Sequence, residues 1–372
     1  MGRKTTRGAR ILGAVAAGAG AAAAGGVALA ARGVLPALGG RPDGARLLAS
    51  PQFHDGAFRN TAPPRWLPPG SGKATVRELF FGGRRRRPGA AVPLVPPAGP
   101  APADGLHITW FGHASSLVEL DGVRVLLDPV WSERVSPSGV LGPRRLHPVP
   151  HRLADLPGLD VIVISHDHYD HLDMSTVRAL ARLHDVPFVV PLGVGAHLRR
   201  WKVPENRIVE LDWDDSVEVA GLRIVATPAR HFSGRAFSRN NTLWASWVIA
   251  GQRHRVFYTG DSGHFEGYAA IGERHGPFDA ALVQIGAYNA SWPDIHMTPE
   301  EGVAAHLDVR GGLLIPVHWA TFNLAPHAWA EPADRVWQEA KAHDIALAVP
   351  RPGERIDVAA PPQVDGWWQA LG

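Results

Sequence analysis

The sequence predicts an α/β fold in which two packed sheets carry helices on the outside and a site lies along one sheet edge. Two observations support this. Short β-branched strands alternate with helical segments from Leu106 onward, and each block of candidate metal ligands begins just beyond a strand. No tandem repeat at periods of about 20 to 50 residues competes with that reading.

The elements follow in order. His107–Phe111, Ser116–Leu120 and Val123–Leu127 alternate as strands, with Asp121-Gly122 marking a hairpin turn between the last two. Val161–Ser165 is an apolar, β-branched run of the kind that forms a buried parallel strand. Ser175–His184 is helical in pattern, Pro187–Pro191 strand-like, and Gly195–Trp201 helical around Leu198. Strands are expected again at Ser216–Val219, Leu222–Thr227, Trp244–Ile249 and Val256–Thr259. The last unit runs from the strand Ala280–Ile285 through a helix at Pro299–Leu307 to the strand Leu313–Val317.

The octapeptide HDHYDHLD, His166–Asp173, packs three histidines and several carboxylates into one turn after the Val161–Ser165 strand. Imidazole and carboxylate suit borderline divalent ions, and ligands one residue apart can both turn inward from a tight loop. His166 and His168 can hold one ion, and Asp170 and His171 a second. A two-ion site needs more ligands than one loop supplies, and His231, Asp261 and His318 each follow an apolar run downstream. The alternative is a histidine-rich loop that only caps a strand through hydrogen-bonded imidazoles. His113 and Asp128 lie at strand ends as supporting residues for a ligand imidazole, against a packed histidine and a turn residue before proline. Trp292, Trp319 and Trp329, near His296 and His318, are read as core rather than as an acyl-chain groove.

At 372 residues with 45% hydrophobic content the chain has ample material for a packed core. It contains no cysteine, so any metal site uses nitrogen and oxygen alone. The sequence pI of 9.5 suggests a nucleic-acid binder. However, six basic residues and no acid fall within residues 1–42, which leaves a net charge of −3 on the remainder of a chain that totals +3. Nucleic acid is therefore excluded as a partner. Neither a G-x-S-x-G elbow nor a phosphate-binding P-loop is present.

Three regions are expected. Residues 1–42 hold a basic segment and the uncharged run Ile11–Ala31, long enough to span a bilayer at about 20 residues, so this part reads as a membrane anchor or export signal, with Ala28-Leu29-Ala30 as a small-residue cleavage site. The basic N-terminus would stay cytoplasmic, placing the folded part in the cell envelope on the far side. A disordered alanine-rich extension is the alternative. Residues 43–105 form a Pro/Gly/Arg-rich extension that wraps the fold, interrupted by FHDGAFRN and VRELFFG, with Arg84–Arg87 as a solvated loop or a contact to anionic lipid headgroups. Residues 106–372 form the catalytic domain.

At the metal loop and the three later ligands the chain resembles the metallo-β-lactamase superfamily, whose H-x-H-x-D-H loop is followed by a histidine, an aspartate and a histidine. The resemblance implies the αββα sandwich, with an N-terminal extension here. It implies His166, His168 and His231 on one ion, Asp170, His171 and His318 on the other, and Asp261 between them. FHDGAFRN, Thr109–Ser138, the GPRR block from Gly142, DIHMTPEEGVAAHLDV from Asp294 and PVHWATF from Pro316 are similar to the branch that contains N-acylphosphatidylethanolamine-hydrolysing phospholipase D and its bacterial relatives. These stretches run in order over most of residues 51–350. That branch implies a lipid phosphodiesterase with two Zn2+ ions (Mn or Fe as alternatives), Asp170, Asp261 and His296 as the catalytic set, and a metal-bound hydroxide as nucleophile. Ile295 departs from the animal enzyme's polar residue, which puts the headgroup in question. The alternatives are a lactonase or other hydrolase of a small ester, and a membrane-tethered metal-binding protein without turnover. Membrane association is expected; the oligomeric state is open, a homodimer included.

Overall fold

The computed structural model describes residues 33–63, 83–99, 101–235 and 238–372. The run Ile11–Ala31, with the anchor or signal expected there, lies outside the described residues, as does VRELFFG at Val76–Gly82. Among the described residues no helix is long and apolar enough to cross a membrane.

A short helix α1 (Ala45–Ala49) leads to a hairpin of β1 (Phe53–His54) and β2 (Ala57–Phe58). The first sheet takes β3 (Leu106–Gly112), β4 (Ser115–Leu120), β5 (Val123–Leu127), β6 (Val161–Val163), β7 (Phe188–Pro191) and β8 (Ile208–Leu211), with helices α2 (Met174–Leu183) and α3 (Gly195–Arg200) in its crossovers. The second sheet takes β9 (Ser216–Val219), β10 (Leu222–Thr227), β11 (Ser246–Ala250), β12 (Arg255–Tyr258), β13 (Phe278–Gln284) and β14 (Gly311–Val317). Helices α4 (Gly267–His275), α5 (Pro299–Asp308) and α6 (Glu331–Ala342) belong to this half, and β15 (Arg355–Asp357) returns to the first sheet beside β3. The strand orders are β15-β3-β4-β5-β6-β7-β8 and β14-β13-β12-β11-β10-β9.

Strand periodicity builds the layers. In β5 and β6 Val125, Leu127, Val161 and Val163 enter the core shared with the second sheet, whereas Leu126, Ile162 and Ile164 join a second cluster with Val177 and Leu180 of α2 and Leu198 of α3. Alternate side chains on a strand point to opposite faces, so a run that is apolar throughout is covered on both. The β4–β5 hairpin turns at Asp121-Gly122, both with positive φ (52° and 86°), as the sequence predicts. Asp121 also accepts from the backbone N–H groups of Arg253 and His254, so one turn ties the two sheets together.

Described parts of the residues before β3 pack against the two sheets. Phe58 of β2 is buried in the inter-sheet core, and Asn60 reaches the backbone of His231, donating to its carbonyl (2.8 Å) and accepting from its N–H (3.1 Å). Arg84–Arg86 form a 3-10 turn in which Arg86 is buried and donates to Asn323, so the arginine run is only partly a solvated loop. Helix α5 starts with a capping box: the Thr298 hydroxyl accepts from Glu301 N–H (3.2 Å) while Thr298 N–H donates to the Glu301 carboxylate (2.8 Å). A cap of this kind is worth about 1 kcal/mol, and it pins the helix immediately after His296.

Candidate metal centre

The four ligand blocks converge where strands of both sheets end. His166–His171 follow β6, His231 follows β10, Asp261 follows β12 and His318 follows β14. Gly260, at φ 55°, sets Asp261 down against the metal loop. A Cβ there would lie 2.7 Å from Ser165 Cβ and 2.9 Å from the Ala245 carbonyl, so only glycine permits the approach.

Two groups of four donor atoms result, each mutually within 4.8 Å: His166, His168, His231 and Asp261 in one, and His113, Asp170, His171 and His318 in the other; Asp261, His296 and His318 form a third, smaller group. Asp261 Oδ2 stands between the first two, 3.8 Å from His166 Nε2 and from His231 Nε2, and 3.1 Å from His171 Nε2 and from His318 Nε2. The structure thus brings together all seven residues expected from the sequence as ligands, and places His296 Nδ1 3.9 Å from the same carboxylate oxygen.

These atoms fit divalent cations. In the first group His168 Nδ1 faces His166 Nε2 at 2.8 Å and His231 Nε2 at 3.3 Å, so three ring nitrogens crowd one point. Around the second, His171 Nε2, His318 Nε2 and Asp261 Oδ1 are buried without a hydrogen-bond partner, a costly arrangement unless an ion takes their lone pairs. An all-nitrogen-and-oxygen set suits Zn, Mn or Fe. The opposite ring nitrogens are mostly held from behind: His166 Nδ1 by the Ser165 hydroxyl (2.9 Å), His231 Nδ1 by the Ile295 carbonyl (3.0 Å), and His171 Nδ1 by the Asp128 carboxylate (2.6 Å). Such bonds fix the tautomer and aim the free nitrogen at the ion. His318 is instead positioned through its backbone, whose N–H donates to the His113 carbonyl at 2.8 Å.

Electrostatics separates the imidazoles. Burial, then the neighbouring rings of His171 and His168, push His166 well below the ordinary histidine range; burial and the His168 and His296 rings do the same to His231 despite Asp261. Burial also disfavours a charge on His171, but Asp261, Asp170 and Asp128 outweigh it and raise that group well above the usual value. Burial lowers His113 and His296 to about 3, so both rings are neutral. Asp261 stays ionised, because His171, His318 and His296 overcome the burial that would protonate it.

Both supporting candidates act through ligands rather than as fillers. Asp128 is fully buried and accepts from Ser165 N–H (2.6 Å), Tyr258 hydroxyl (2.5 Å) and His171 Nδ1, which settles it as more than a turn residue. His113 Nε2 lies 2.9 Å from Asp170 Oδ2. Asn60, Ser165 and Tyr258 are participants that sequence reasoning missed; FHDGAFRN flagged the first as a block, and nothing local marks the other two.

Above the candidate ligands lies a cavity of about 290 Å3 with Asp170, Asp261, His296 and His318 on its floor and Phe232, Trp292, Ile295 and Leu324 in its walls, Arg239 at the side. Trp319 and Trp329 are core, packed with Trp367 and Trp368, as read from the sequence. Trp292 is the correction: it is half-buried and lines this cavity, because its indole N–H reaches back to the Ala287 carbonyl (2.9 Å) and holds the ring at the rim.

A two-sheet sandwich whose strand ends converge on a histidine and aspartate cluster is the architecture of one class. Residues 123–319 match the family model described as "Beta-lactamase superfamily domain", and the chain belongs to that superfamily. An uncharacterized protein of Mycobacterium tuberculosis is 51% identical over 351 residues, 90% of this chain and 94% of its own. N-acyl-phosphatidylethanolamine-hydrolyzing phospholipase D 1 of Caenorhabditis elegans is 38% identical over 249 residues, 62% of this chain and 69% of its own. Among solved structures, a metallo hydrolase from the archaeon Ignicoccus hospitalis superposes with a TM-score of 0.54 at 23% identity, over 68% of this chain and 97% of that one, a likeness in fold.

Proposed function

We infer that this protein is a metal-dependent hydrolase with a two-ion site, and that its substrate is a phospholipid of the N-acylphosphatidylethanolamine type, cleaved on the headgroup side of the phosphate. The observation that carries the reading is Asp261 Oδ2, set between two imidazole groups within 3.8 Å of His166, His231, His171 and His318. A shared carboxylate lets two cations sit close without prohibitive repulsion. The 38% identity to the nematode phospholipase D, over a stretch that includes the metal loop, supports the lipid substrate.

His166, His168 and His231 would hold one ion and Asp170, His171 and His318 the other, Zn2+ being the expected metal and Mn or Fe alternatives. Ions held there would supply Lewis acidity, making a water more acidic and polarising a phosphoryl oxygen. The chain's own residues do the rest. His113 holds Asp170, and the Asp128 carboxylate holds His171. His296, neutral and on the cavity floor, presents an imidazole to a phosphoryl oxygen or the departing alkoxide. Phe232, Trp292, Ile295 and Leu324 offer an apolar wall to the lipid and limit water around the reacting phosphate.

Hydrolysis in 18O-water tests the reading. Attack at phosphorus puts the label in phosphatidic acid and leaves the N-acylethanolamine hydroxyl unlabelled. Turnover of lactones with no cleavage of the phospholipid would instead assign the site to small esters.

A further inference from the structure

The loop Ser136–Gly142, between β5 and β6, exposes Val140 and Leu141, each 71% accessible. The loop is built rather than slack. The Ser136 hydroxyl has the Ser138 and Leu141 carbonyls within reach of its one proton (2.8 and 2.5 Å), and the Ser138 hydroxyl accepts from the N–H groups of Val140 and Leu141 (3.3 and 3.2 Å). These bonds hold two branched apolar side chains outward, where a soluble surface gains nothing from them. At the loop's base Arg86, Arg87, Arg134, Arg144 and Arg145 line one cleft, in which Arg86 is buried on Asn323 and Arg145 donates to the Ser132 and Val130 carbonyls, while Arg87 and Arg144 are exposed and Arg134 half-buried; among the described residues no acid lines it, and Glu133, beside it, pairs with Arg144. An apolar tip above exposed arginines is a pattern that enters an anionic bilayer: the tip reaches the acyl boundary while the free guanidinium groups meet phosphates.

The loop also stands next to the metal centre. Val135 at its root packs with Val130 and Phe322, against Tyr169 and Leu324; Leu324 lines the cavity over the candidate ligands, and the Phe322 ring lies edge-on to His113 at 5.1 Å. The Arg145 guanidinium lies over the same ring, 5.0 Å from its centroid.

We propose that Val140 and Leu141, with the arginine cleft beneath them, dock this protein on an anionic lipid surface so that the mouth of the metal cavity faces the bilayer. The proposal deepens the lipid-substrate reading and rests on it for the purpose of docking. The physical contact itself can be measured without turnover.

The absence of cysteine allows one probe to be placed at will. Full-length Leu141→Cys, carrying an environment-sensitive fluorophore, is mixed with phosphatidylglycerol/phosphatidylcholine vesicles and with phosphatidylcholine alone; Leu307→Cys, on α5 and 48% exposed, is the control. The expected result is a blue shift and protection from an aqueous quencher at position 141 on the anionic vesicles, reduced by salt, with neither change at 307. Arg87→Gln should weaken partitioning about fivefold. A Leu141 probe that remains in water on vesicles carrying bound protein overturns the proposal, because the N-terminal hydrophobic run can attach the chain but cannot bury this loop for it. Cleavage of a short-chain, water-soluble N-acylphosphatidylethanolamine is assayed in parallel. Cleavage there with an unburied loop refutes docking alone, while a buried loop without cleavage of any phospholipid refutes the substrate assignment alone.

Discussion

Asp128→Asn is the substitution whose consequence the structure specifies most closely. The carboxylate is fully buried and serves four donors: the Ser165 N–H on one oxygen, and the Ser165 hydroxyl, Tyr258 hydroxyl and His171 Nδ1 on the other, all between 2.5 and 2.6 Å. An amide of the same shape must turn its NH2 toward at least one of these donors. It also removes the charge that raises His171. A carboxylate that holds a ligand imidazole from behind contributes about tenfold to a hundredfold in metal affinity, about 1.4 to 2.7 kcal/mol. The loss should fall mainly on the ion of Asp170, His171 and His318, since Asp128 touches His171 directly, reaches His166 only through the Ser165 hydroxyl, and has no contact with His231, which is held by the Ile295 carbonyl. Chelator competition with metal analysis would read it as biphasic release: one ion lost about tenfold to a hundredfold more readily than in the wild type, the other changed less. Two ions retained with wild-type affinities would show that Asp128 does not orient His171, and the division of the site into two halves would fall with it.

Three other outcomes follow from particular contacts. Asp261→Ala should abolish hydrolysis and drop metal content below two ions per chain, because both imidazole groups lose their shared carboxylate; activity within a few-fold of wild type would contradict the bridging role. Asn60→Ala removes the clasp on the His231 backbone and should cost about 1–3 kcal/mol in denaturant unfolding, with a stability equal to wild type showing the extension to be dispensable. Asp121 gives a pH effect. Burial opposes its carboxylate, but the N–H groups of Arg253 and His254 and the His254 ring hold its pKa below the ordinary 3.8. A depressed acid contributes stability above its unfolded value and loses it as pH falls through the folded one. The stability gap between wild type and Asp121→Asn should therefore be constant near neutrality and close below about pH 4; a gap that widens with acid would reverse the assignment.

The metal centre was the most legible part of the chain because its chemistry is local: HDHYDHLD states its purpose in eight residues, and each later ligand follows an apolar strand. The supporting residues are legible only in three dimensions. Tyr258 reads as one more apolar position of β12, and its contact with Asp128 spans 130 residues. Helix α4 escapes the pattern because Gly267 and Gly272 interrupt it; a Cβ at Gly272 would lie 2.2 Å from the Asp308 carbonyl, so packing against the end of α5 demands the very residue that signals a break. Helix α6 buries Pro332, Ala333, Val336 and Ala340, a stripe too small-sided to announce itself by hydrophobic periodicity. Edge strand β8, half-buried over Ile208–Glu210, likewise lacks a clear alternation. Trp292 shows the limit from the other side: a tryptophan near the site reads as core until its backbone turn places it at the rim.

The most direct test of the central claim combines metal analysis and product analysis on one sample: ions per chain, and phosphatidic acid released from N-acylphosphatidylethanolamine vesicles, for the wild type and Asp261→Ala. About two ions and release are expected for the wild type, with both lost in the variant. A wild-type chain that carries no metal, or one that carries two ions and leaves the lipid intact while opening lactones, would contradict it.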